Sequence, residues 1–151
     1  MKDKIEIKDA DIAGSDAAQL LHELSGILAS ITGASGAASF AAEDVAAPRS
    51  AFVIAYVNGL ACGCGALRPV SAVMAEIKRV YARPNTLDIG SALISALEAR
   101  AAAFGYTKLV LETRKVNTAA VAFYQKHGYR TCPNFGKYVH RPEAICMAKH
   151  L

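Results

Sequence analysis

Glu76 stands inside the apolar run of residues 73–82. A carboxylate on a buried strand is costly unless it is paired or put to use. Strand periodicity puts it on one face with Met74, Lys78 and Val80. Two readings stay open. Lys78 or Arg79 neutralises it, or partial burial raises its pKa and makes it a general base. By pattern alone, Tyr124 reads as a core tyrosine on the inner face of a short helix, and Asn117 as that helix's N-cap. Cys62 and Cys64 alternate on one strand face, a C-x-C pair without the further ligands a zinc site needs. Cys132 and Cys146 lie far off, and His22, His127, His140 and His150 show no ligand spacing. No metal is expected, and the cysteines read as small apolar residues.

The elements that position these side chains follow from periodicity and turn chemistry. Residues 4–8 alternate apolar and charged, which suits a first strand. Ser15 and Asp16 are N-cap candidates for an amphipathic helix carrying Leu20, Leu21, Leu24, Ile27, Leu28 and Ile31. Residues 33–42 are small and read as a mobile connection. A strand at 50–57, the hairpin pair Asn58-Gly59 and a return strand at 60–68 come next. Residues 73–82 form another strand, closed by Pro84. A helix from Ile89 runs through Leu93, Leu97, Ala101 and Phe104 and stops at Gly105. Residues 108–112 are a short strand, 118–127 a helix ended by Gly128, and 129–131 and 144–150 the last two strands. The piece from 73 to 112 predicts a right-handed parallel crossover.

Composition bounds what this scaffold can be. The chain has 151 residues, enough for one domain, and is 53% hydrophobic and 20% charged, which excludes disorder. Tryptophan is absent and aromatics are 7%, so a recognition surface of stacked rings is not expected. No apolar run reaches the ~20 residues of a membrane span. The first sixteen residues carry five acidic ones and lack the apolar core of a signal peptide. A cytoplasmic protein is expected, with four cysteines that need not pair. Residues 1–75 carry 5 Lys/Arg against 8 Asp/Glu, and residues 76–151 carry 12 against 5. The basic half suggests a phosphate-bearing partner or a solvated basic face, and no run of consecutive cations points to nucleic acid.

GCGAL at 63–67, AEIKRVYARP at 75–84, IGSALISALE at 89–98 and LETRKVNTAAVAFYQKHGY at 111–129 resemble, in order and spacing, the GCN5-related N-acetyltransferases, the GNAT family. The tail FGKYVHRPEAICMAKHL is similar to the end of many bacterial members. The resemblance implies a single domain over 1–151, with a mixed, mostly antiparallel sheet of about seven strands and flanking helices. Its central parallel pair, residues 73–82 and 108–112, would splay apart. It implies acetyl-CoA as cosubstrate. Backbone groups of Val80 and Ala82, with Tyr81 between them, would hold the pantetheine arm, and Asn117 would sit near the same arm. Asp88, Ile89, Gly90 and Ser91 would lie at the pyrophosphate. Glu76 aligns with a catalytic glutamate that takes the acceptor's proton, and Tyr124 with the tyrosine that protonates the departing thiolate. The implied reaction is direct attack by an amine on the thioester. The expected partner is a small-molecule amine, with no nucleic acid and no membrane; a homodimer is left open.

One stretch departs from the family pattern. After Arg83-Pro84 the chain reads Asn85-Thr86-Leu87-Asp88-Ile89-Gly90-Ser91, about two residues shorter than the family's pyrophosphate loop, with Gly90 as its matched glycine. Asp88 stands where it caps the following helix, accepting amides a phosphate needs and repelling the anion. This predicts acetyl-CoA binding weaker than micromolar. Two alternatives to a small-molecule N-acetyltransferase follow: a non-catalytic or weakly binding acyl-CoA module, and a protein N-acetyltransferase. Arg68, Lys78 and Arg79 are candidates for clamping an acceptor's carboxylate, or plain surface charge.

Overall fold

Strands rich in apolar residues, the central ones buried on both faces, build one seven-stranded sheet in the computed structural model, which describes residues 4–37, 40–84 and 87–151. In chain order the elements are β1 (Ile5–Asp9), α1 (Ser15–Thr32), a 3-10 turn (Ala42–Val45), β2 (Ala51–Val57), β3 (Leu60–Pro69) and β4 (Met74–Ala82). Then come α2 (Ile89–Ala103), β5 (Lys108–Arg114), α3 (Thr118–Lys126), β6 (Arg130–Cys132), a second 3-10 turn (Gly136–Tyr138) and β7 (Ala144–His150). The strand order is β1-β2-β3-β4-β5-β7-β6, antiparallel throughout except for the parallel pair β4–β5. Among the described residues no helix is long and apolar enough to cross a membrane.

Each sheet face has its own core. Ala51, Val53 and Ala55 of β2 face α2, packing with Leu93, Ile94 and Leu97. Phe52 and Ile54 point the other way, to Ala17, Leu20 and Leu24 of α1. Asn58 (φ 52) and Gly59 (φ 79) form the tight β2–β3 turn that the Asn-Gly pair predicts.

Small residues let α2 come close. A Cβ on Gly63 would lie 2.6 Å from the Tyr81 carbonyl oxygen and 3.0 Å from Leu93 Cδ1. Gly63→Ala is therefore expected to cost about 1–3 kcal/mol, the range of core overpacking, read as a lower denaturant midpoint. An unchanged midpoint would show that the strand shifts freely.

Three local expectations change. The N-cap of α1 is Gly14, with Ser15 the first helical residue. Asp16 lies in the first turn and accepts from the Tyr56 hydroxyl (3.0 Å). The apolar stripe of α1 is buried at Ala17, Leu20 and Leu24, while Ile27 and Ile31 stay 41% and 42% exposed. The connection after α1 is held in part, because Arg79 donates to the Ser35 carbonyl (3.1 Å); residues 38 and 39 lie outside the described residues.

The fourth change concerns β4. Ala66 pairs with Lys78 and Cys64 with Tyr81, so Gly65 alone opposes both Arg79 and Val80. This is a β-bulge, and Arg79 takes the left-handed φ of 56°. Past the bulge the alternation inverts: Val80 packs with the α2-side core, while Tyr81 joins the α1-side core. Val80 thus does not share the face of Glu76, contrary to the two-residue period.

Candidate active site

β4 and β5 pair only over Met74–Lys108, Ala75–Leu109 and Glu76–Val110. Beyond Glu76 the two strands part, as the splayed pair predicts, and a cleft of about 420 Å³ opens there. Glu76, Lys78, Glu112 and Tyr138 line it, as do Val80, Tyr81, Ala82, Asn117 and Tyr124; the last turns of α1 close its far side. A second hollow of about 490 Å³ lies between β1 and the end of α2, and its charged walls Asp9 and Arg100 pair at 2.9 Å.

Glu76 is 2% exposed and both its oxygens are engaged. Arg68 Nη1 donates to Oε1 at 2.8 Å, and the Tyr138 hydroxyl donates to Oε2 at 3.0 Å. Lys78 Nζ lies 3.6 Å from Oε2 and donates to the Tyr138 oxygen at 3.1 Å. Arg68 Nε lies 3.5 Å from Asp44 Oδ1. Burial lowers the Lys78 pKa, and the charge of Glu76 opposes that shift. Of the two cations the sequence offers Glu76, Lys78 is a partner. Arg79 is not: the bulge sends its guanidinium to Ser25 Oγ (2.6 Å) and the Leu21 carbonyl (3.3 Å). Arg68, Lys78 and Arg79 are thus committed inside the protein, and the carboxylate clamp they suggested is not available.

Tyr124 is half-buried, with its ring edge-on to Phe123 (5.2 Å) and Tyr129 (5.8 Å). Desolvation pushes its phenol further above the ordinary tyrosine range, which already lies well above neutral pH. Asn117 caps α3, its Oδ1 accepting from the Ala120 amide at 3.3 Å, and it also lines the cleft. The Tyr81 hydroxyl donates to Glu23 Oε1 (2.9 Å), which leaves its backbone for the cleft.

Asp88, Ile89, Gly90 and Ser91 lie at the start of α2 and are not among the residues lining this cleft. Asp88 occupies the N-cap position, but its side chain makes no cap hydrogen bond. Its backbone, at φ −86° and ψ 62°, nearly matches that of Asn117 (φ −82°, ψ 69°), which does cap α3, so the difference lies in the orientation of the side chain itself. The expected cap is therefore corrected. Ile89 is core. A Cβ on Gly90 would meet the Phe123 ring at 3.0 Å, so this glycine sets the α2–α3 approach. Ser91 Oγ lies 2.9 Å from His127 Nε2. Asn85 and Thr86, the middle of the shortened loop, lie outside the described residues. Arg83, just before the loop, is held by Glu23 through Nε (2.9 Å) and Nη2 (2.7 Å). The Arg83 and Tyr81 hydrogen bonds lower the Glu23 carboxyl to about 2.

Glu112 is the site residue that sequence reading missed. Taken as the end of a short strand, it is interior to β5, which runs to Arg114. Its Oε2 is buried with no hydrogen-bond partner, and burial raises its pKa. The signal was available, since Glu112 follows Leu-Val-Leu as Glu76 sits in its own apolar run.

Residues 21–129 match the model of the Acetyltransferase (GNAT) family. An IAA acetyltransferase of Azospirillum brasilense is 30% identical over 136 residues, covering 88% of this chain and 89% of its own. The uncharacterised N-acetyltransferase YsnE of Bacillus subtilis is 25% identical over 151 residues, covering 97% and 100%. A Klebsiella pneumoniae structure, provisionally assigned as an acyl-CoA N-acyltransferase, superposes with a TM-score of 0.82 at 27% identity, covering 97% of each chain. An Elizabethkingia anophelis acetyltransferase with acetyl-CoA bound gives 0.73 at 21% identity, covering 99% and 100%, a likeness of fold.

Proposed function

This chain belongs to the acetyltransferase (GNAT) family and is an acyltransferase, and on that premise we propose that it moves an acetyl group from acetyl-CoA to the primary amine of a small molecule by direct attack. The observation that carries this reading is the cleft at the parting of β4 and β5, with Glu76 and Tyr124 both in its walls. Acetyl-CoA fits this cleft. Past Glu76, β4 has no paired strand on its β5 side, so a chain bearing amides can lie along it as an added strand does. Val80, Tyr81, Ala82 and Asn117 would hold that arm, and Asp88, Ile89, Gly90 and Ser91 would meet the pyrophosphate at the start of α2. When bound, acetyl-CoA supplies a thioester carbonyl open to attack by an amine.

Tyr124, protonated at neutral pH as an ordinary phenol is, would give its proton to the departing sulfur, and its phenolate would take the proton that the newly acylated nitrogen must lose. Tyr138 links the cleft to Glu76: its hydroxyl donates to Oε2, so a proton taken from the acceptor's ammonium onto Tyr138 releases Tyr138's own proton to Glu76. As the nitrogen–carbon bond forms, the carbon–sulfur bond breaks. We place the reaction in the cytoplasm, a setting that suits four free thiols.

The test is thiol release from acetyl-CoA across a panel of primary amines, beside calorimetric binding of acetyl-CoA. Amine-dependent release is expected. Binding without release from any amine would overturn the reading in favour of a non-catalytic acyl-CoA module. Release with a lysine peptide alone would make it a protein acetyltransferase.

The commitment of Arg83 to Glu23 supports weak cofactor binding, because the cation before the loop already holds a carboxylate. Acetyl-CoA is expected to bind more weakly than micromolar. Asp88→Asn should tighten binding by about two- to fivefold, the change that ~0.3–1 kcal/mol of repulsion at a helix start corresponds to. Micromolar binding by the parent, or a folded Asp88→Asn variant that binds no better at the same salt, would refute this.

A further inference from the structure

The polar groups around the cleft are unevenly satisfied. Its cations have partners within the protein. Lys78 holds Tyr138, Arg79 holds Ser25 and two backbone carbonyls, and Arg114 holds Glu143 at 2.6 Å. Arg68, behind the wall, holds Glu76. The carboxylate of Glu76 is doubly bonded. Glu112 is different. Its Oε2 is buried without a partner, although it senses the charges of Arg114, Lys78, Glu76 and Arg141. Cys146, its neighbour across the β5–β7 pair, offers only a thiol. A buried carboxylate oxygen without a hydrogen bond is rare, and Glu112 lines the cleft, so its carboxylate is the acidic group there left to be met by a cationic donor.

The opposite wall is apolar. Leu24, Ile27, Leu28 and Ile31 of α1 face the same cleft, and Ile27 and Ile31 remain 41% and 42% exposed. They continue the stripe that buries Leu20 and Leu24 against the sheet, yet nothing among the described residues covers them to that degree.

We propose that the acceptor is a monocationic amine on an apolar body, its ammonium bonded to the Glu112 carboxylate and its body laid on Ile27 and Ile31. This rests on the acetyltransferase reading and narrows it. An amino acid is disfavoured, because its carboxylate would enter a cleft whose cations are already engaged and whose open group is an anion. Glu112 is a binding residue here, distinct from the relay through Tyr138 to Glu76.

The test uses 2-phenylethylamine, phenylalanine and methylamine as probes. Each is titrated calorimetrically into the protein in the presence of CoA and assayed for thiol release with acetyl-CoA. 2-Phenylethylamine is expected to bind, and to be preferred over phenylalanine by about 10–100-fold, the discrimination that one unpaired buried charge of ~1.5–3 kcal/mol gives. Glu112→Gln keeps the shape and removes an unpaired charge, so it should fold. It should raise KM for 2-phenylethylamine about tenfold or more, with kcat changed far less and acetyl-CoA binding unchanged. Ile31→Glu, at an exposed position, should spoil 2-phenylethylamine and spare methylamine. No binding of 2-phenylethylamine, equal use of phenylalanine, or a folded Glu112→Gln with unchanged KM would overturn the proposal. Amine binding without thiol release would leave this docking site standing and refute the acetyl-transfer reading.

Discussion

Tyr124→Phe is expected to lower kcat by about 10²–10⁴-fold, the loss typical of removing a general acid, while KM for either substrate changes little. The substitution deletes one oxygen and keeps the ring, whose edge-on contacts with Phe123 and Tyr129 hold α3 in place. Among the described residues the Tyr124 hydroxyl makes no hydrogen bond within the protein, so its removal breaks no internal bond and the fold should persist. What goes is a phenol, a proton donor at neutral pH. The split between kcat and KM is informative, because an interaction made only in the transition state lowers kcat alone. Steady-state thiol release on the parent and variant, with thermal melts of both, is the measurement. A folded variant with the parent's kcat would leave Tyr124 as a packing tyrosine.

Glu76 is expected to show two separable effects. Glu76→Ala removes the anion between Arg68 and Lys78 and leaves the Lys78 ammonium buried against Tyr138 without its carboxylate. Breaking one side of a buried pair costs about 3–5 kcal/mol, a large part of the ~5–15 kcal/mol that holds a domain folded. The variant should therefore unfold at much lower denaturant or fail to accumulate. Glu76→Gln keeps the volume and an oxygen for Tyr138 but cannot take a proton. It should be destabilised less than Glu76→Ala and, under conditions where it is folded, lose about 10²–10⁴-fold in kcat. Urea midpoints and thiol release on both variants decide between roles. A glutamine variant that is less stable than the parent but fully active where folded would make Glu76 a structural residue that balances Arg68 and Lys78.

Much of the scaffold was legible because its signals are local. Alternation of apolar and charged residues marked β1, apolar β-rich runs marked β2 and β4, the Asn-Gly turn marked the return strand β3, and apolar spacing of three and four marked α1 and α2. Asn58-Gly59 and Asn117 announced a turn and a cap whose geometry depends on their own neighbours. The same local reasoning failed at three points. Gly14, not Ser15 or Asp16, caps α1. Asp88 reaches the cap position of α2 without making the cap hydrogen bond. The bulge at Arg79 and Val80 reverses the faces of β4 after Lys78, and no alternation rule contains an extra residue.

The sequence by itself thus determined the order of elements, the parallel pair between residues 73–82 and 108–112, and a carboxylate at position 76 that had to be answered for. The tertiary structure alone decided how it is answered. Tyr138, which reaches Glu76 Oε2 from 62 residues away, and Arg68, which reaches Oε1 across the β3–β4 pair, become its neighbours only when the strands assemble. The same assembly buries one oxygen of Glu112 with no partner and turns Ile27 and Ile31 toward the cleft. The physical reason is range. Helix and strand periods are set by backbone contacts a few residues apart, whereas the charge balance of a buried site is set by whichever side chains the folded sheet brings within hydrogen-bond distance.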